Sequence, residues 1–479
     1  MVHYELLIDG HFIGGPCDQA TGKQVVKNPY DNSLVGTAAE GGLGELQGCL
    51  DAAAGAYSTW RHTSVSDRQR LLKRIAQLVR DRRDELVALL VAEIGKPITL
   101  ARGEVDRMAV TFDVAALELE SWGIESIPIS LDPRGKDYLA MFERFPIGPV
   151  LCIVPYNWPF NLAAHKVAPA LAVGNTIILK VSPLAPLCTL ALACLIHEAG
   201  CPPGVVNAWN GPSQVISKVS HDSRCRMVSF TGSPTVGWKV KQDLPPEKKV
   251  TLELGGNAFA LICDSADLDW AASRCIAGGF GYAGQVCISV QHVLAGRSVY
   301  NDIRSQLIRF TNECTWGDPR LEGTVCGPMI SSEAASRVEE SVSEAVSAGA
   351  KIIAGGGREG NVVKPVLLED VPASVRLAQE EVFGPVITLA PFESFEEALS
   401  KVNSGKYGIH TGVFTNNQAE RDRAFQDLEV GGVVINDSPS IRFDNLPYGG
   451  TKLSGHGREG VRFAMEEMTQ LKSYVVRNR

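Results

Sequence analysis

From Gly148 onward, short β-branched apolar runs alternate with helical stretches, and this alternation limits the folds open to the chain. Residues 150–154 and 176–181 read as buried strands, and 187–199 as a helix stopped by Gly200-Cys201-Pro202-Pro203-Gly204. Residues 205–209 and 227–230 are further strands, and Thr231-Gly232-Ser233-Pro234 turns into a helix from Thr235. Strand–helix–strand order of this kind implies a mostly parallel sheet covered on both faces, an α/β fold. After a strand at 249–254 the pattern restarts. Strands are expected at 260–263, 290–294, 351–354, 412–414 and 431–436, with helices at 267–282 and 332–348. Residues 249–256 therefore read as the crossing between two α/β units.

The region before Gly148 is different. A helix is expected at 66–94, with Ser66 and Gln69 in capping-box positions. Leu71, Ile75, Leu78, Val79, Leu86, Leu89 and Leu90 share one face, and Gly95 and Pro97 supply the stop. A second helix is expected at 104–122. Residues 124–145 alternate around a Pro-Arg-Gly turn, as a long hairpin does. Such an arm, with a tail strand at 471–476 to pair with, suits self-association as a dimer or a pair of dimers.

Composition excludes several classes. A chain of 479 residues accommodates two or three domains. Its net charge of −8, without a long basic block, argues against nucleic acid as the main partner. The first ten residues lack the basic and apolar regions of a secretory signal. The most apolar region, 167–196, is interrupted by Pro169, Lys180, Pro183 and Pro186, so no membrane partner is expected. Twelve cysteines show no CxxC pair and no regular spacing. That usage fits reduced thiols in a cytoplasmic enzyme, with no disulfide framework and no metal site.

The stretch Gly281-Tyr282-Ala283-Gly284-Gln285-Val286-Cys287-Ile288-Ser289 places one thiol in a turn between two apolar elements, among small residues. A thiol so placed is a nucleophile if its pKa is lowered or a base takes its proton. A single cysteine is otherwise most often a buried structural thiol. The turn after Phe230 is where a parallel sheet binds a phosphate, although Gly232 to Gly237 lacks the GxGxxG spacing.

Four motifs taken together resemble the aldehyde dehydrogenase superfamily over nearly the whole chain. They are Phe230-Thr231-Gly232-Ser233, Glu253-Leu254-Gly255-Gly256, Gly284-Gln285-Val286-Cys287 and Glu380-Glu381-Val382-Phe383-Gly384-Pro385. Pro155-Tyr156-Asn157-Trp158-Pro159, Lys180, Asn436, Pro447-Tyr448-Gly449-Gly450 and Ser454-Gly455 support them. The resemblance implies a Rossmann-like coenzyme domain (residues 1–123 and 144–253), a second α/β catalytic domain (254–450) and a β-hairpin oligomerisation arm (124–143 and 465–479). It implies oxidation of a small-molecule aldehyde to a carboxylic acid, with hydride passing to NAD or NADP. Cys287 is then the nucleophile, forming a thiohemiacetal and a thioester. Asn157 and the Cys287 N–H serve the oxyanion, and Glu253 is the base that hydrolyses the thioester. Glu253 also favours release of a free acid over transfer to coenzyme A. Glu381 and Phe383 match the nicotinamide-ribose site, Gly232 and Ser233 the pyrophosphate turn, and Lys180 the adenosine ribose. Tyr156 and Ser182 belong to the same coenzyme set.

Two departures bear on specificity. Pro183 stands where relatives often carry a ribose-binding glutamate, so a 2′-phosphate would meet less repulsion and Lys180 and Ser182 could face it. Val286-Cys287-Ile288-Ser289 is similar to a subgroup acting on lactaldehyde and other small hydroxy- or semialdehydes. Arg102 and Arg107 lie where relatives contact acidic substrates, and are equally suited to a solvated surface. Two other readings compete: a cysteine hydrolase, or a non-catalytic protein of the same fold. His292 lies five residues from Cys287, a spacing that on a strand turns it to the opposite face.

Overall fold

The computed structural model describes residues 2–15 and 22–477. Five parallel strands form the centre of an eight-stranded sheet, in the order Lys249–Glu253, Met227–Thr231, Val150–Ile153, Ile177–Lys180, Val206–Trp209. Gly455–His456 pairs antiparallel at one side, and the hairpin Leu6–Ile8 with His11–Ile13 closes the other. These strands are mainly apolar because both faces are covered, with Lys180 and Glu253 at their carboxyl ends. Val150, Cys152, Ile177 and Leu179 join one core, against the helices Pro159–Val173 and Pro186–Glu198. Leu151 and Ile178 point the other way, into a core with Leu46, Cys49 and Leu50 of the helix Leu43–Trp60. The period of two along each strand thus feeds two cores.

Strand order reverses between Val150–Ile153 and Met227–Thr231. The loops leaving their carboxyl ends diverge there and open a crevice, which is where ligands bind in sheets of this Rossmann type.

A second sheet of seven strands follows. Its order is Lys351–Gly355, Val366–Glu369, Val386–Phe392, Val290–Gly296, Ala258–Ile262, His410–Phe414, Gly432–Ile435, with only the first pair antiparallel. Four residues, Leu254 to Asn257, join Lys249–Glu253 of the first sheet to Ala258–Ile262 of the second. The carboxyl edge of one parallel sheet therefore abuts the amino edge of the other.

The N-terminal region differs from the periodicity reading. Residues 66–94 are two helices, Val65–Asp81 and Arg83–Ile94, broken at Arg82. No apolar residue lies between Val79 and Leu86 to carry one buried face across Arg80-Asp81-Arg82-Arg83-Asp84-Glu85. The cap is Ser64, whose hydroxyl accepts from the Asp67 N–H at 3.1 Å; Ser66 and Gln69 do not cap. Gly95 ends the second helix in the left-handed region, φ +65°. The next helix begins at Ile98, earlier than 104. The helix Pro159–Val173 has no amphipathic signature, because all fifteen of its residues are buried. The arm is a three-stranded sheet: Tyr138–Pro146 pairs with Glu125–Ser126 on one side and with the tail strand Thr469–Arg477 on the other.

A buried ion pair fixes where Pro159–Val173 begins. Lys96 and Glu104, both fully inaccessible, bond to each other. Glu104 Oε1 also accepts the N–H groups of Phe160 at 2.9 Å and Asn161 at 3.2 Å, two otherwise unpaired donors of the first turn. The Lys96 ammonium lies 3.7 Å from the Trp158 ring centroid and 4.7 Å from that of Tyr282. Lys96→Met would leave the Glu104 charge buried without its partner. Chemical denaturation should show a loss of about 3–5 kcal/mol, the cost of breaking such a pair from one side.

Candidate active site

The helix Leu268–Phe280, capped by the Asp267 carboxylate, runs into the turn Gly281–Gly284. Tyr282 and Ala283 hold left-handed backbone angles there, φ +54° and +53°, a cost of about 1–2 kcal/mol per residue that packing must offset. Tyr282 is fully buried and its N–H reaches the Val325 carbonyl at 3.0 Å. Gln285 pins the next residue. Its amide donates to the carbonyls of Tyr282 and Pro328, while its oxygen accepts from Ile330 N–H at 2.9 Å and from the Tyr156 hydroxyl at 3.2 Å. The thiol that follows is therefore presented by a fixed backbone.

Cys287 is partly accessible, and its sulfur lies 3.1 Å from the Tyr448 hydroxyl. Burial pushes the thiol up to about 12, against the hydrogen bond from Tyr448. The thiol loop and the Asn157 loop meet directly, since Asn157 Nδ2 donates to the Gln285 carbonyl at 2.8 Å. One amide hydrogen is used in that bond and the other remains. Asn157 follows the carboxyl end of Val150–Ile153, so the reversal in strand order brings it to the thiol.

Glu253 ends its strand at the same junction. It is 97% buried, and neither carboxylate oxygen has a hydrogen-bond partner among the described residues. Burial, then Glu459, push its carboxyl well above the usual carboxylate range. A Cβ on Gly449 would lie 2.7 Å from Glu253 Oε1, so Glu253 faces the loop that carries Tyr448 to the sulfur. Glu381 accepts the Gly256 N–H at 3.0 Å, and burial raises it to about 7. The two glycines between these carboxylates are required sterically. A Cβ at Gly255 would sit 2.2 Å from Glu381 Oε2, and one at Gly256 would sit 2.3 Å from the Cys287 carbonyl oxygen.

The crevice of the first sheet carries the remaining candidates. Lys180 is buried at the end of its strand, its amine has no hydrogen bond or ion pair among the described residues, and burial lowers that amine to about 8. Ser182 is buried beside it, with a hydroxyl that accepts weakly from Leu184 N–H at 3.3 Å. Ser233 starts the helix Pro234–Asp243 and its hydroxyl makes no capping bond. Gly232 packs against the Phe230 ring, where a Cβ would meet it at 2.7 Å. Phe383, at φ +50°, stands edge-on to Tyr156 with ring centroids 6.2 Å apart. An unpaired buried amine, free hydroxyl groups at a helix start and a carboxylate beyond them fit a dinucleotide's ribose hydroxyls and phosphates.

The two candidate arginines separate. Arg102 is turned outward in a bidentate pair with Glu322 at 2.7 Å and is not part of the site. Arg107 is bidentate to Asp444, at 2.6 and 3.0 Å, and lies 5.5 Å from the Trp158 ring centroid, beside Asn157. Asp444 also bonds His165 at 2.8 Å and Asn161 at 3.2 Å. His292 faces away from the thiol, 2.6 Å from the Thr388 hydroxyl and stacked on Phe259.

Sequence reasoning missed Arg442, and gave Tyr448 no role beyond its motif. Arg442 is buried with its guanidinium 3.7 Å from the Tyr448 ring centroid and 3.4 Å from Glu459. Glu459 in turn holds the buried Lys166 at 2.8 Å. An arginine in a loop carries no sequence signal for burial, and only the fold supplies it.

A Rossmann-type crevice facing the amino edge of a second α/β sheet has the form of a dinucleotide site beside a second binding surface, as in two-domain nucleotide-dependent enzymes. The profile of the Aldehyde dehydrogenase family matches residues 17–474. The 3-sulfolactaldehyde dehydrogenase of Priestia aryabhattai is 37% identical over 469 residues, 98% of each chain. Aldehyde dehydrogenase 21 from Physcomitrella patens, solved with the reaction product succinate, superposes with a TM-score of 0.96 at 36% identity, covering 99% of this chain and 98% of that one. The glyceraldehyde-3-phosphate dehydrogenase GapN from Methanocaldococcus jannaschii, complexed with NADP, gives 0.91 at 37% identity, covering 95% and 99%. The chain belongs to the aldehyde dehydrogenase family and is an NAD(P)-dependent aldehyde dehydrogenase.

Gly256→Ala tests the junction. The added methyl must displace the Cys287 backbone. Aldehyde-dependent formation of reduced coenzyme should fall by about a hundredfold, the effect of misplacing reacting groups by about 1 Å, while circular dichroism stays native.

Proposed function

We propose that Cys287, Asn157 and Glu253 oxidise a small hydroxy- or semialdehyde bearing an anionic group, and release the free acid. The observation that carries this reading is the contact of three chain-distant segments: the thiol loop, the Asn157 loop and the end of the Glu253 strand. The Cys287 thiolate adds to the carbonyl carbon. The second Asn157 amide hydrogen and the Cys287 N–H receive the oxyanion. When bound, NAD(P)+ supplies the hydride acceptor. Glu253, without a partner of its own, takes a proton from the water that attacks the thioester. Lys180, Ser182, Gly232, Ser233, Tyr156, Glu381 and Phe383 would hold the coenzyme. The anionic group is supported by relatives named for sulfolactaldehyde and glyceraldehyde 3-phosphate or solved with succinate.

The arm leaves Leu131, Leu139, Leu471, Tyr474 and Val475 exposed, which supports a dimer or a pair of dimers. No helix among the described residues is long and apolar enough to cross a membrane, and their cysteines are free, which supports a cytoplasmic enzyme.

A panel of aldehydes with each coenzyme tests the activity. Cys287→Ala should abolish oxidation and leave coenzyme binding intact. Glu253→Gln should form the acyl-enzyme in a burst and then turn over about 10²–10⁴-fold more slowly. Because the Glu253 carboxyl is raised, its base form is lost as pH falls through the raised value. The wild-type hydrolytic step should therefore slow on acidification, and that dependence should vanish in Glu253→Gln. Steady-state turnover unchanged by this substitution would mean that another group serves as base.

Coenzyme choice is a separate test. Pro183 removes a carboxylate from beside Lys180, so kcat/KM with NADP should lie within about a hundredfold of that with NAD, or about 2.7 kcal/mol.

A further inference from the structure

We propose that Tyr448 is a further catalytic residue: its phenol donates a hydrogen bond to the Cys287 sulfur as the thiolate forms, and Arg442 over its ring holds it in place. The inference rests on Cys287 being the nucleophile. The hydroxyl is 3.1 Å from the sulfur, and the sulfur is its sole hydrogen-bond partner among the described residues. Either group can donate while the sulfur is a thiol, but a thiolate can only accept, and the phenol then has its one proton to give.

The ring cannot swing away. It is 97% buried, with the Arg442 guanidinium at 3.7 Å from its centroid and the His410 ring edge-on at 5.2 Å. Its backbone is bonded both ways to Glu459, at 2.9 and 2.7 Å. Arg442 is tied to the same glutamate through its side chain. The cation over its face thus fixes the ring, and the line from ring to hydroxyl ends on sulfur.

The electrostatic balance gives that line a purpose. Burial opposes ionisation of Cys287, and the carboxylates that face it, Glu381 and Glu253, oppose it further. Tyr448 and Arg442 act in the opposite sense, the tyrosine more strongly. His410, behind the ring, is held neutral by burial, near 4. On ionisation the S–H bond breaks, its proton passes to bulk water, and the phenol keeps its own proton. Arg442 is a positioning residue in this scheme, since its guanidinium holds the ring, and its charge adds a smaller direct preference for the thiolate.

The test reads the thiol itself. Alkylation of Cys287 by iodoacetamide, located by mass spectrometry, is followed against pH in coenzyme-free enzyme. In Tyr448→Phe the midpoint should rise by about one pH unit, read as a tenfold fall in the alkylation rate at any lower pH where the enzyme is native. Reduced-coenzyme fluorescence titration should be unchanged. Site-specific 3,5-difluorotyrosine at position 448, a stronger donor of the same shape, should move the midpoint down. Arg442→Met should raise it, and Arg442→Lys should raise it less. A midpoint that stays put or falls in Tyr448→Phe, or that ignores fluorination, overturns the proposal. An unmoved midpoint in Arg442→Met removes Arg442 from it. Turnover surviving in Cys287→Ala would instead sink the nucleophile reading, so the two failures are distinct.

Discussion

The structure depends on two parallel sheets meeting end to end through Leu254, Gly255, Gly256 and Asn257. A link this short forces the carboxyl edge of one sheet onto the amino edge of the other. Backbone then packs on backbone: a side chain at Gly256 would strike the Cys287 carbonyl, and one at Gly255 would strike Glu381. The crevice, the Cys287 thiol and the Glu253 carboxyl are neighbours because nothing larger than hydrogen stands between them.

A second constraint is the amount of charge held away from water. Lys96 with Glu104, Lys166 with Glu459, and Arg107 with Asp444 are buried or half-buried pairs around the site. Each fixes a segment that bears a functional residue. Glu104 sets the helix start behind Asn157, and Glu93 does the same for Pro186–Glu198, accepting from Leu187 and Cys188 at 2.6 and 2.7 Å. Glu253 is left out of this pairing. A buried carboxylate with no donor favours its neutral form, and so binds a proton more readily than an ordinary glutamate.

Short β-branched apolar runs and helices with one buried face were legible in the sequence. The strands at 227–231 and 290–296, and the helix after Ser331, fall where alternation or periodicity puts them. Pro159–Val173 was not legible, because a helix buried on every side has no polar stripe to set its period. The break at Arg82 was missed because a helical face was carried across a gap in its own apolar pattern. Arg102 and Arg107 looked alike as letters. Their difference is that Asp444, more than three hundred residues on, reaches one of them.

By itself the sequence determined the fold class, the family and the short motifs around Cys287, Glu253 and Glu381. These depend on local pattern: period, glycine placement and residue order. Tertiary structure alone decided that Tyr448 reaches the thiol with Arg442 over its ring, that the Lys180 amine and the Glu253 carboxyl are buried without partners among the described residues, and that Arg102 points away. Contact and desolvation are properties of which surfaces meet, and a linear order of side chains does not contain them.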